Sequence, residues 1–440
     1  MINFKIFQRN FADIQDTVGK FMPNSVKDML EKNISDTIKA IALEYPYIDS
    51  DYRDTYYNDF SKRFAYFDRN SVRLHLFSKG LNNIDDITPL NLKEYQDNYL
   101  GFITLRDTKV LTIGRSYISP KAKKNFSIGF YALTNYKVHL KGIEFKVEAF
   151  PWMQQDANVS RCAHVAIWSV VRYFSEKYHY YPHRTLYQVT NLLTSETRKS
   201  PSKGVTVEQV AQILANSAFY PEIYLRSSVD TKREKKFDRF LYTLVESGIP
   251  FIAGLTQKTH AFAVIGHGAL KKASGTKGFN GVIDSFHLLD NLIVSDDNFF
   301  PYTRVSKETE AVTDEGSIYQ YKDIDAMIIP YYEKMFLDIY YLYDLLLPTL
   351  ERYYLKLNST NQCFIRRVLL ASSKSFKLFI NNNSSDKVYK EITTSSAMPK
   401  FVWIIEYAVP ENFDKKLIEY RIVIDASSLN FDENVFINIK

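Results

Sequence analysis

Residues 160–176 read SRCAHVAIWSVVRYFSE and have the pattern of a helix with a cysteine near its N-terminus. Ser160 is a residue type that caps helices well, so we predict a helix from this point to about Glu176. Cys162 would then lie in the first helical turn, where the helix dipole and unpaired N–H groups favour an anion. A thiolate there is suited to act as a nucleophile, and the alternative is a buried structural cysteine.

Short apolar stretches later in the chain predict the sheet against which this helix packs. Each stretch has strand length and is separated from the next by turn residues, and helical segments precede them. We therefore predict an α+β core in which the Cys162 helix packs on an antiparallel sheet. Its strands are expected at residues 251–255, 261–265, 292–294 and 326–329.

Polar side chains at the ends of two of these strands are candidates for acid–base chemistry. His260 opens one strand, from where its ring could reach across a cleft as a general base; the alternative is a hydrogen-bonded structural histidine. Asp296 and Asp297 follow the strand at 292–294 and could orient a histidine, or could simply end the strand in a turn. The rival bases, which have a weaker strand context, are His267, His164, His179 and His183.

The order of these residues resembles the papain-like cysteine peptidase fold, and more closely its C39-like branch. A glutamine precedes the cysteine, and the histidine opens a strand reading HAFAVIG at residues 260–266. The aspartate follows a short apolar strand. The resemblance covers about residues 145–305, and some flanking segments resemble those around C39-like cores in uncharacterised bacterial proteins.

The resemblance implies a role for each residue of the motif. Cys162 would be the nucleophile and His260 the general base. Asp296 would orient His260, with Asp297 or Asn298 as substitutes, and Gln155 would supply the oxyanion-stabilising amide, with Gln154 second.

Three functions are compatible with this motif. The first is a hydrolase that cleaves a peptide or isopeptide bond through a Cys-His-Asp triad. The second is other thiol acyl chemistry, of the amidase or transglutaminase type. The third is an inactive papain-like scaffold that serves as an interaction module, which is favoured by Ala163 at a position where the family usually has glycine.

The length of 440 residues predicts two or three domains. We expect an N-terminal α+β extension over residues 1–95 and the papain-like core over 96–330. Residues 331–440 are expected to form a C-terminal helix, running to about Leu357, followed by strands.

Composition and charge indicate the class of protein and its partners. Hydrophobic residues make up 45% and charged residues 24% of the chain, which argues against wholesale disorder. The net charge of +6 is mild for this length, so we expect no nucleic-acid partner, whereas the resemblance implies a protein or peptide substrate. Two cysteines argue against a zinc site, and we expect no cofactor. The sequence shows no signal peptide and no apolar run long enough to span a membrane, so a cytoplasmic location is expected.

Overall fold

A computed structural model describes residues 3–427, except 109–110, 157–158, 194–201, 203, 227–230, 277–280, 308–318, 334, 336, 338 and 353–361. The strands are β1 (Asn3–Phe7), β2 (Ala40–Tyr47), β3 (Ser71–Phe77), β4 (Tyr99–Leu105), β5 (Ser116–Ile118), β6 (Gly129–Tyr131), β7 (Thr134–Leu140), β8 (Ile143–Trp152), β9 (Tyr220–Leu225), β10 (Phe251–Leu255), β11 (His260–Gly268), β12 (Gly281–Asp284), β13 (Asn291–Ser295), β14 (Thr303–Ser306), β15 (Ala326–Tyr331), β16 (Cys363–Ser372), β17 (Phe401–Ala408) and β18 (Tyr420–Asp425). The α-helices are α1 (Phe11–Val18), α2 (Asn24–Asn33), α3 (Ser50–Asn58), α4 (Leu92–Asp97), α5 (Cys162–Lys177), α6 (Leu186–Thr190), α7 (Val207–Ala215), α8 (Thr231–Glu246), α9 (Ile339–Tyr341), α10 (Leu347–Leu350), α11 (Ser373–Asn383), α12 (Lys387–Ser395) and α13 (Pro410–Asp414).

The first sheet has the strand order β1-β2-β3-β4-β5-β8-β7 and is antiparallel throughout. Strands β3 and β4 pair directly, so this sheet continues through the boundary expected near residue 95. Its last strand, β8, ends at Trp152 and leads into the loop before α5. The first sheet therefore fixes the start of the segment that carries the cysteine.

The second sheet has the order β14-β13-β11-β10-β15-β9, with β6 added beside β11. It contains the four strands predicted from the apolar stretches, and every pair in it is antiparallel. The prediction of a mixed α+β architecture with antiparallel sheets is confirmed. These strands are apolar over their whole length because the sheet is buried: residues 251–255 have no exposed position.

Helix α5 packs against β11, β10 and β8 and is buried on nearly all its faces. Its residues from Ala163 to Ser175 are all buried, and Trp168 is fully so. A helix this apolar all round is typical of a central core element rather than a surface helix. The cysteine at its first residue therefore has a rigid support.

The third sheet, β12-β16-β17-β18, holds the C-terminal strands. Strand β12 pairs parallel to β16, and the other pairs are antiparallel. The helix expected directly after Pro330 begins later than predicted, because β15 continues to Tyr331 and the first helical residue described after it is Ile339. There α9, a π-helical segment (Leu342–Leu346) and α10 follow one another, and the expected helix end near Leu357 lies outside the described residues.

A buried ionic cluster ties α3 to α5. The carboxylate of Asp51 accepts hydrogen bonds from Trp168 Nε1 at 2.8 Å and from Arg172 Nη2 at 3.0 and 3.1 Å. It also accepts one from the backbone N–H of Leu186 at 3.0 Å. Burial opposes ionisation of this carboxyl, but Arg172 and Arg115 outweigh that effect and lower the pKa of Asp51.

The helices of the described part of the chain are too short or too polar for any of them to cross a lipid bilayer.

Candidate active site

Cys162 is the first residue of α5, so the helix begins one residue later than a Ser160 cap would give. The helix is capped by Arg161, whose extended backbone (φ −126°, ψ 171°) precedes Cys162 directly. The prediction of Ser160 as N-cap was wrong because its hydroxyl is used elsewhere: it donates to Asp156 Oδ2 at 3.1 Å. Cys162 is half-buried, so its thiol is within reach of solvent. The first-turn N–H groups have no helical partner, and they can stabilise negative charge beside the sulfur.

Strand register brings His260 and Asp296 to the same edge of the second sheet. His260 is the first residue of β11, and Ser295 ends β13 opposite Ala263. Because the two strands are antiparallel, the residue after Ser295 lies toward the His260 end of β11. His260 Nε2 and Asp296 Oδ2 are 2.9 Å apart and hydrogen bonded.

The imidazole of His260 also interacts with Cys162, closely enough for the cysteine to contribute to the raised pKa of the ring. Since Nε2 is taken by Asp296, Nδ1 is the ring nitrogen available to the sulfur. Burial of the ring disfavours its charged form, but the hydrogen bonds and charges of Asp296 and Cys162 outweigh this and raise the pKa of His260 to about 10. A protonated imidazole between a carboxylate and a sulfur stabilises the sulfur as a thiolate.

The carboxylate of Asp296 is fixed from several sides. Its Oδ1 accepts a hydrogen bond from the backbone N–H of Asn298 at 2.8 Å. Its backbone carbonyl accepts one from Trp152 Nε1 at 2.8 Å, across 144 residues of sequence. Through Trp152, the first sheet therefore holds the end of β13 that leads into Asp296. Asn298 contacts Asp296 through its backbone N–H.

Tyr319 packs on the ring of His260 and was missed by the sequence analysis. Its ring stacks on that of His260 with centroids 4.6 Å apart and planes at 15°. Burial and the charge of Asp296 raise the pKa of Tyr319 to about 12. No sequence signal marks Tyr319, because its stack on His260 joins residues that are distant in the sequence and no local pattern reveals such a contact.

Replacing Tyr319 should weaken the orientation of His260. We expect Tyr319→Leu to slow alkylation of Cys162 at about pH 6 by about three- to tenfold, since an aromatic stack contributes about 0.5–1.5 kcal/mol. Tyr319→Phe keeps the ring and should stay within about twofold of the wild type. Equal rates in all three proteins would contradict a role for the stack.

The two glutamines before the cysteine have different surroundings. Gln154 is buried, and its side-chain Oε1 accepts a hydrogen bond from the backbone N–H of Ile113 at 3.2 Å. Its side chain thus holds the preceding loop and is not directed to the thiol. Gln155 is half-buried on the same segment and stays the candidate for the oxyanion-stabilising amide.

Three of the rival histidines have other partners. Both ring nitrogens of His267 face acceptors, Glu246 Oε2 at 2.7 Å and the carbonyl of Gly268 at 2.6 Å, so neither is free to act as a base. His164 accepts the N–H of Arg161 at 3.2 Å, and burial lowers its pKa to about 4. Burial and then the charge of Arg172 lower the pKa of His183 to about 4 as well. His179 lies exposed in a turn after α5.

One group of side chains in the described residues has donor atoms close enough for a metal ion. Donor atoms of His260, Asp296 and Asp297 lie within 4.8 Å of one another. However, His260 and both oxygens of Asp296 already form hydrogen bonds within the protein. We therefore interpret these side chains as a hydrogen-bonded acid–base group.

No protein-family model, curated protein or solved structure matches the chain. Its function is inferred from the geometry of Cys162, His260 and Asp296.

Proposed function

We propose that the chain is a cysteine-dependent hydrolase that cleaves a peptide or isopeptide bond, with Cys162, His260 and Asp296 as its triad. The observation that supports this most is the hydrogen bond between His260 and Asp296 at 2.9 Å, together with the electrostatic interaction of the same imidazole with Cys162. It occurs at the N-terminus of a buried helix, where a thiolate is stabilised. A papain-like core of the C39-like branch is favoured by the helix that carries the cysteine, the strand that carries the histidine and the aspartate at a strand end. We expect the protein to be located in the cytoplasm.

The chemistry follows from which atom holds the proton. The Cys162 thiolate attacks the carbonyl carbon of the scissile bond, while His260 holds a proton on the nitrogen that faces the sulfur. As the tetrahedral intermediate collapses, the bond to the leaving amine breaks and His260 donates that proton to the amine. Water, deprotonated by His260, then attacks the thioester and releases the acid with Cys162 free again. Asp296 keeps the ring oriented throughout.

The developing oxyanion needs donors close to the sulfur. The backbone N–H of Cys162 lies at the helix N-terminus and has no helical acceptor, so it is suited to this task. Gln155 would supply the second donor. The methyl group of Ala163 packs in the hydrophobic core, so an alanine after the nucleophile does not fill the space in front of the thiol.

The reactivity of Cys162 tests the proposal without knowledge of the substrate. In a Cys363→Ala background, which leaves one thiol, we expect iodoacetamide to label Cys162 rapidly at about pH 6 because His260 stabilises the thiolate. His260→Ala should slow labelling at that pH by at least about tenfold. Labelling that becomes fast only near pH 8.5, as for an ordinary thiol, would refute the hydrolase and favour the scaffold interpretation.

A further inference from the structure

The carboxyl group of Asp297 has surroundings that the triad does not explain. Asp297 is 3% exposed, and neither of its oxygens accepts a hydrogen bond from another described residue. Removing an ionised carboxylate from water without any donor is strongly unfavourable. A carboxyl in such a place is stable as the neutral acid, which needs only an acceptor for its own hydrogen.

The acceptor that lies nearby is the carboxylate of Asp296. The donor atoms of the two aspartates and of His260 lie within 4.8 Å of one another. Asp296 is the member that receives N–H donors, from His260 on Oδ2 and from Asn298 on Oδ1. Two carboxyl groups this close share one negative charge more readily than they hold two. The donors place that charge on Asp296 and leave the proton on Asp297.

We propose that Asp297 is a positioning residue of this site: as a neutral acid it donates a hydrogen bond to the carboxylate of Asp296 and so fixes how Asp296 faces His260. The inference rests on the proposed triad for its functional meaning. The charged groups that act on Asp297 are Asp296 and His260, and Tyr319, which stacks on the imidazole, is in turn affected by the charges of Asp297 and Cys162. Burial and the charge of Asp296 raise the pKa of Asp297 to about 8, in agreement with the geometry.

The proton on Asp297 makes the free energy of unfolding of the whole protein depend on pH. The pKa of Asp297 is raised from its ordinary value of 3.8, so the unfolded chain loses this proton at lower pH than the folded one. Stability is therefore lost as the pH rises between about 4 and about 8. Over that interval each pH unit should shift the unfolding equilibrium by up to about tenfold toward the unfolded state. Asp297→Asn removes this one proton and nothing else that titrates.

The first experiment measures this pH dependence of unfolding. The ratio of the unfolding constants of wild type and Asp297→Asn, obtained by urea unfolding from about pH 5 to pH 8, should rise by several-fold to tenfold per pH unit. A ratio that stays constant over this range would overturn the proposal. So would one equivalent of a divalent metal that copurifies with the wild type and is missing from Asp297→Asn.

The second experiment separates positioning from mere packing. In the Cys363→Ala background, Asp297→Asn retains a donor for Asp296, and its Cys162 should be alkylated at about pH 6 within about threefold of the wild-type rate. Asp297→Leu has similar size and no donor, and its rate should fall by about tenfold or more. Equal rates in folded Asn and Leu variants would refute the positioning role.

The two proposals fail in different ways. If Cys162 of the wild type reacts as an ordinary thiol while the stability ratio still rises with pH, the hydrolase is refuted and the proton on Asp297 is retained. If Cys162 is activated and the ratio is flat, only the role of Asp297 is refuted. If the leucine variant does not fold, the stability measurement on the asparagine variant still decides.

Discussion

Cys162→Ala should reduce hydrolysis by at least about a thousandfold, because covalent attack by sulfur is lost and triad members act as a unit. The fold should be nearly unaffected. The sulfur lies at the first residue of α5, and removing one partly exposed atom changes the free energy of unfolding by no more than about 1 kcal/mol. The assay is mass-spectrometric detection of new termini in a library that contains both main-chain and lysine-linked peptides, with thermal melting of each variant.

The matched control for this variant is Cys363→Ala. Cys363 is a free thiol buried in β16, where its sulfur lies 3.8 Å from Thr276 Oγ1 and away from the site. The same atom is removed, so the control should keep full activity. A well-folded Cys162→Ala protein that still hydrolyses the library would overturn the enzyme proposal.

Asp51→Asn should destabilise the protein by about 3–5 kcal/mol, the cost typical of leaving one member of a buried ion pair without its partner. Arg172, at 1% side-chain exposure, would lose its counter-charge. Trp168 would keep only an amide oxygen as acceptor. Urea unfolding followed by tryptophan fluorescence measures the effect, since Trp168 touches the cluster.

Asp85→Asn is the control for Asp51→Asn, because it removes a carboxylate from an ion pair at the protein surface. Asp85 pairs with Lys141, and its side chain is 67% exposed, so the loss of this pair should leave the urea midpoint unchanged. A similar shift in both variants would show that the Asp51 cluster contributes no more than a surface pair. The ionised carboxylate of Asp51 contributes to the free energy of unfolding at pH values above the ordinary pKa of an aspartate. This contribution is lost as the pH falls below that value.

The parts of the fold that the sequence predicts well are those set by local pattern. Strands 251–255, 261–265, 292–294 and 326–329 are short apolar segments between turns, and all four lie in one antiparallel sheet. The strand at 326–329 runs on to Tyr331 and the helix begins later than predicted, because the apolar residues after Pro330 are equally compatible with a strand or a helix. A strand that ends at Tyr331 depends on its pairing with β9, which no local pattern reveals.

The role of a side chain at the site depends on whether it points toward the thiol, and the sequence does not show this. Gln154 and Gln155 lie between β8 and α5, and the sequence does not show which of them faces away from the thiol. The hydrogen bond to Ile113 identifies Gln154 as that residue. His267 follows His260 on the same strand, and only its contact with Glu246 removes it from the candidates.

The hydrogen bond from Trp152 to the backbone of Asp296 affects when the site forms during synthesis and folding of the chain. It joins residues 144 positions apart, and Asp296 is made long after Cys162 has been synthesised. Contacts of such sequence separation form late in folding, after the intervening loop has been ordered. Under the proposed mechanism, a chain in which this contact has not yet formed lacks the fixed Asp296 and carries an ordinary thiol at Cys162. The proposed nucleophile would then be activated only after the first sheet has joined the strand end that carries Asp296.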